Sequence, residues 1–125
     1  LEIFTKSYII TKNYKGGIKL EIQYLKEDKI LKLKITEELD HHAVEKLRRK
    51  ADYEIERYIP RKVIFDFNNV SFMDSAGIGM LIGRYKMAKM FGGAVELRNV
   101  KPNIKRILEM CGVLKLVPIV DEVKL

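Results

Sequence analysis

The sequence predicts an α/β fold: one mixed, mostly parallel sheet with helices packed on it, in the order β-β-α-β-α-β-α-β. Three observations carry that reading. Residues 18–35 alternate apolar and polar positions on both sides of a charged turn, as a hairpin does. Downstream, apolar residues recur at three- and four-residue steps in three separate stretches. Between those stretches lie short β-rich runs bounded by glycine or proline. The 125 residues suit a single domain.

Each element has its own local reason. Ile18, Leu20, Ile22 and Tyr24 alternate with Lys19, Glu21 and Gln23 in a first strand. After the turn at Lys26-Glu27-Asp28, Leu31, Leu33 and Ile35 alternate with Lys32 and Lys34 in a second. Asp40 suits a helix N-cap, because its carboxylate accepts backbone N–H bonds. Val44, Leu47, Ala51, Ile55 and Tyr58 form one face of the helix that follows, and Pro60 closes it. The run VIFDF at 63–67 reads as a central strand covered on both sides. Either Ser75 or Asp74 caps the next helix, whose apolar face is Ile78, Leu81, Ile82 and Tyr85, with Gly92-Gly93 ending it. AVELR at 94–98 is a further strand. Pro102 fits the first turn of a last helix, with Ile104, Ile107, Leu108 and Cys111 as its buried stripe and Gly112 after its end. LKLVPI at 114–119 is expected as an edge strand, because it carries Pro118. The six residues after Ile119 are too few for another full helix.

The domain proper is expected over 18–125. The sequence begins at Leu1, not methionine, which marks it as processed or incomplete, and Gly16-Gly17 breaks the pattern. Residues 1–17 are therefore set apart as an N-terminal extension, dispensable for the core fold unless SYII at 7–10 supplies a strand.

Composition excludes several classes. No apolar run approaches the roughly 18 residues of a membrane span, and no secretory signal pattern appears. One cysteine, Cys111, excludes an internal disulfide, and a cytoplasmic location fits. The net charge of +7 is spread over scattered lysines without a nucleic-acid-binding motif, which favours a solvated surface over direct nucleic-acid contact. His41 and His42 lack further ligands nearby, so neither a metal nor a cofactor is expected. Asp66, inside an apolar strand, has no functional reading.

The stretch FMDSAGIGMLIGRYK at 72–86 holds the candidate site. Ser75 stands where a helix begins, and a helix N-terminus accepts a phosphate readily. From local sequence alone, capping is the favoured explanation of a serine there. Gly77, Gly79 and Gly83 match neither the dinucleotide fingerprint nor a phosphate-binding loop. Close packing of Gly79 and Gly83 against the sheet or a partner explains them better. Met73 stands where a hydrolase elbow requires glycine, which excludes a nucleophilic serine of that type.

Together, ELDHH at 38–42, FMDSAGIG at 72–79, GRYK at 83–86 and IKRILEMCGVLKLVPI at 104–119 resemble the anti-sigma factor antagonists of the STAS domain family, most of all those of the sporulation branch. The likeness runs over about residues 20–120. It implies a single STAS domain that binds and does not catalyse. In such proteins the unphosphorylated form binds an anti-sigma factor that is also a serine kinase, which frees a sigma factor for transcription. The kinase, which brings its own ATP and Mg²⁺, phosphorylates the motif serine, and a serine phosphatase restores it. The resemblance places that phosphorylation on Ser75. It places partner binding on Asp40, His41, Asp74, Ser75, Ala76, Gly77 and Gly79. The chain departs from the family pattern at Ala76, where a second hydroxyl is common, and at Glu37, which replaces a glycine. The alternative is a STAS binding module or scaffold in another signalling pathway. A nucleotide hydrolase using Ser75 lacks a recognisable base.

Overall fold

The computed structural model describes residues 7–13 and 19–121. In chain order the elements are β1 (Ser7–Asn13), β2 (Lys19–Leu25), β3 (Ile30–Ile35), α1 (His41–Tyr58), β4 (Lys62–Asp66), α2 (Ser75–Met90), β5 (Ala94–Arg98) and α3 (Pro102–Met110). The strands form one sheet in the order β1-β2-β3-β4-β5. β1, β2 and β3 pair antiparallel. β3, β4 and β5 pair parallel, joined by α1 and α2 as crossovers. This is the expected mixed α/β sheet.

Register explains how one face becomes the core. Rows such as Tyr24-Leu31-Val63-Val95 and Ile22-Leu33-Phe65-Leu97 run across β2 to β5. All of these side chains belong to a single buried cluster with Val44, Leu47, Ala51 and Ile55 of α1, Met80, Leu81 and Ala88 of α2, and Ile104 and Leu108 of α3. The helices therefore cover that face. The opposite face carries the rows Gln23-Lys32-Ile64-Glu96 and Glu21-Lys34-Asp66-Arg98. Lys62 pairs with Glu96 at 3.2 Å and Lys32 approaches Asp66 at 3.8 Å on it.

Several expectations change. β4 is not covered by helices on both sides. Ile64, only 4% exposed, lies outside the core cluster and is flanked in register by Lys32 and Glu96, whose charged ends face Asp66 and Lys62. Asp66 is a buried structural residue: its Oδ1 accepts from Asn68 N at 2.9 Å and Asn99 Nδ2 at 3.1 Å, closing the end of β4. The expected last strand at 114–119 is a 3-10 turn at Val113–Lys115 followed by one parallel bridge, Ile119 to Leu97. Pro118 removes a ladder donor there, and only its carbonyl is used, by Leu97 N at 2.9 Å. Cys111 is exposed at the end of α3 and does not extend its buried stripe. Ile18, Gly16, Gly17 and residues 122–125 lie outside the described residues.

The stripe on α2 is rotated from the expected one. Gly77, Met80, Leu81, Arg84 and Ala88 are buried, while Ile78, Ile82 and Tyr85 are half-buried. Arg84 tolerates this because Asp52 of α1 faces it at 2.7 Å between Nε and Oδ1. Burial pulls the Arg84 guanidinium below its ordinary value, and Asp52 opposes the shift.

Within the N-terminal segment, Ser7–Asn13 is part of the sheet. β1 runs beside β2 through the whole register Ser7↔Leu25 to Asn13↔Lys19. Without it β2, which carries the buried Leu20, Ile22 and Tyr24, becomes the sheet edge. Deleting residues 1–17 is expected to leave a folded but weaker domain, destabilised by on the order of 1–2 kcal/mol given the usual worth of cross-strand pairs. Urea midpoints of the two chains measure this, and an unchanged midpoint would return residues 1–17 to the status of a dispensable extension.

Candidate functional site

Beyond the ends of β3 and β4 the two segments meet once more. Leu39 and Met73 form an isolated parallel bridge, with Leu39 N donating to Phe72 O at 3.0 Å and Asp74 N to Leu39 O at 3.3 Å. Each bridge residue is followed at once by an aspartate that starts a helix. Asp40 caps α1, its Oδ1 accepting from Ala43 N at 2.9 Å. Asp74 caps α2, its Oδ1 accepting from Ala76 N at 2.9 Å. One backbone bridge thus sets two helix N-termini, each with its partial positive charge, side by side.

This geometry resolves the choice between Ser75 and Asp74. Asp74 has the extended backbone and the side-chain bond of a cap, and Ser75 is the first residue of α2. The Ser75 side chain is exposed, and its hydroxyl has no hydrogen-bond partner among the described residues.

The other expected site residues fall into two groups. Asp40, His41 and Gly79 are exposed, Asp74 and Ala76 are half-buried, and with Ser75 they form one surface around the two caps. Gly77 is buried beneath it. A Cβ on Gly77 would meet Met73 Cγ at 2.3 Å and Sδ at 2.8 Å, with Leu39 Cβ at 3.5 Å. Gly77 therefore lets α2 start directly against the bridge and does not present surface itself. A Cβ on Gly79 or Gly83 meets nothing within 4 Å, so neither packs closely against the sheet. Within the domain, the close-packing role expected of those two glycines belongs to Gly77.

Residues outside the expected set also shape the site. Glu38 Oε1 accepts from Ser71 N at 2.7 Å and Phe72 N at 3.2 Å, and Oε2 accepts from the Ser71 hydroxyl. The bonds from Ser71, side chain first and then backbone, hold the Glu38 carboxyl below its ordinary value. From α3, Asn103 Nδ2 donates to Ser71 O at 2.9 Å. Phe72 is 52% exposed, a large apolar side chain beside the serine. A signal for Glu38 existed in the ELDHH motif; Asn103 carried none.

Comparison with known proteins follows this geometry. The STAS domain model matches residues 21–125. The chain belongs to the STAS domain family. The STAS match contains β3, both capped helices and the bridge between them. An anti-sigma F factor antagonist of Paenibacillus polymyxa is 34% identical over 102 residues, 82% of this chain and 87% of that protein. The anti-sigma factor antagonist SpoIIAA in its unphosphorylated form superposes with a TM-score of 0.68 at 24% identity, over 94% of this chain and 90% of the other. SpoIIAA of Bacillus in the phosphorylated form gives 0.61 at 24% identity, over 94% and 93%. These superpositions show the fold. Among the described residues of this STAS domain, no helix is long and apolar enough to cross a membrane.

The two glycines of the site are expected to respond oppositely to alanine. Gly77→Ala overpacks the bridge, costing about 1–3 kcal/mol, against a helix-propensity gain of about 1 kcal/mol, so net destabilisation is expected. Gly79→Ala keeps only the gain and stabilises by up to about 1 kcal/mol. Chemical denaturation of both variants decides this; equal shifts would remove the close-approach argument for Gly77.

Proposed function

We propose that this STAS domain is an anti-sigma factor antagonist whose binding is switched by phosphorylation of Ser75. The observation that carries the reading is the free hydroxyl of Ser75 on an exposed helix start, with the capping work done by Asp74. The similarity to an anti-sigma F factor antagonist, and the fold shared with a protein known in phosphorylated and unphosphorylated forms, support it.

In this reading the unphosphorylated surface, made of Asp40, His41, Asp74, Ser75, Ala76 and Gly79, docks on an anti-sigma factor that is a serine kinase. Docking releases the sigma factor. The exposed Phe72 adds apolar contact at its edge. In the inactivating step, Ser75 Oγ attacks the γ-phosphorus of the kinase's ATP. The bond to the β-phosphate oxygen breaks, ADP leaves, and the hydroxyl proton passes to a base of the kinase. A serine phosphatase hydrolyses the ester and restores the binding form.

The physical effect of the phosphate differs between the fold and the interface. At the first turn of α2 the dianion meets the positive end of the helix, so the folded state tolerates it. Against a partner it must be desolvated next to Asp40 and Asp74. Burying an uncompensated charge costs several kcal/mol.

Incubation with the anti-sigma factor kinase of the same organism and ATP is expected to place one phosphate on Ser75, mapped by mass spectrometry. Calorimetric titration is expected to show a loss of at least about 100-fold in affinity for the kinase, roughly 3 kcal/mol. Ser75→Ala is expected to bind and resist phosphorylation, and Ser75→Asp to fold and bind poorly. Phosphate on another residue, or equal affinity of the two forms, would overturn the switch.

A further inference from the structure

The segment between β4 and α2 is held from two sides before it reaches Ser75. On one side, both oxygens of Glu38 are engaged by Ser71 and Phe72, residues 33 and 34 positions downstream. On the other, Asn103 Nδ2 binds Ser71 O, and Lys101 Nζ binds Asn68 O. Immediately after, the bridge of Leu39 with Phe72–Asp74 takes over. Glu38 is thus the side chain that ties the exposed part of the loop to the segment leading into α1. It lies outside the docking surface described above, and its carboxylate has no cap to serve.

We infer that Glu38 is a positioning residue, which clamps Ser71–Phe72 and so fixes where Phe72 and Ser75 stand when a kinase engages this face. The inference rests on the reading of Ser75 as phosphoacceptor and assigns it a support. Phosphoryl transfer demands in-line placement of the attacking oxygen, and a displacement of about 1 Å can lower a rate on the order of a hundredfold. A loop freed at Ser71 lets Phe72 and the segment that carries Asp74 and Ser75 into α2 shift together, while the body of α2 stays folded.

The bond pattern allows geometry and charge to be separated. Both backbone bonds go to one oxygen, Oε1, and the Ser71 hydroxyl goes to the other. A glutamine at this position can keep the first pair through its carbonyl and meet the Ser71 hydroxyl with its NH₂ group, without the charge. Glu38→Gln therefore preserves the clamp, and Glu38→Ala removes it.

Two measurements on the full chain test this. In hydrogen exchange, Glu38→Ala is expected to speed exchange at the Ser71 and Phe72 amides, leaving Ile64 and Phe65 of β4 unchanged, and Glu38→Gln is expected to match the parent chain. In steady-state phosphorylation by the anti-sigma factor kinase, Glu38→Ala is expected to lower kcat at Ser75 about tenfold or more while KM stays within about threefold. Glu38→Gln should restore kcat. Unchanged exchange in the alanine variant, an unchanged kcat, or a glutamine variant as impaired as alanine would overturn the clamp. A parent chain that takes no phosphate at Ser75 would instead refute the Ser75 reading, and the exchange comparison would still decide whether Glu38 holds the loop.

Discussion

The parallel bridge between Leu39 and Met73 is the contact on which the candidate site depends. β3 and β4 end at Ile35 and Asp66, and nothing in the sheet itself requires their chains to meet again. Because they do, the helix starts that follow are fixed relative to one another to within a backbone hydrogen bond. Both helices open with an aspartate cap, and both caps lie at the carboxyl end of the parallel strands, where α/β folds place their sites. The closeness of the bridge dictates glycine at 77 and buries Met73 and Leu39 under the surface they organise. Sequence motifs far apart in the chain, one around Asp40 and one around Ser75, thus become one surface.

Electrostatics divides the sheet in a related way. The helix-covered face is filled by aliphatic and aromatic rows, finished by the stacked rings of Tyr24 and Tyr58, 4.1 Å apart. The other face spends its lysines and acids on each other: Lys62 with Glu96, Lys32 with Asp66, Arg98 with Glu96. Among the described residues, basic side chains on this face are therefore matched by acids on the same or neighbouring strands.

Much of the fold was legible from period alone. Leu20, Ile22, Leu31 and Leu33 alternate because one face of a hairpin is dry, and Val44, Leu47, Ala51 and Ile55 step by threes and fours because one face of α1 is. The Asp40 cap was legible for the same local reason. What escaped depended on partners distant in sequence. A strand at 7–13 is decided by whether β2 has a free edge, and an Ile119 that makes only one bridge is decided by how the chain returns past Leu97. Gly77 and Gly79 are indistinguishable as letters; only the side chain lying over one of them separates their roles. Glu38 was part of a recognised motif, but its acceptors sit more than thirty residues away, beyond any local pattern.

The division of labour between Asp74 and Ser75 also bears on how long each form of the protein persists in a cell. Proteolysis of a folded domain follows the fraction of time it spends open. A serine that capped its own helix would couple its modification to the stability of that helix, and the two forms would then open to different extents. Here the cap belongs to the neighbouring aspartate, and the serine carries no structural duty. If Ser75 is the phosphoacceptor, both forms would therefore be degraded at the same pace. The message would then reside in the ratio of the forms, with the total amount held apart from the signal.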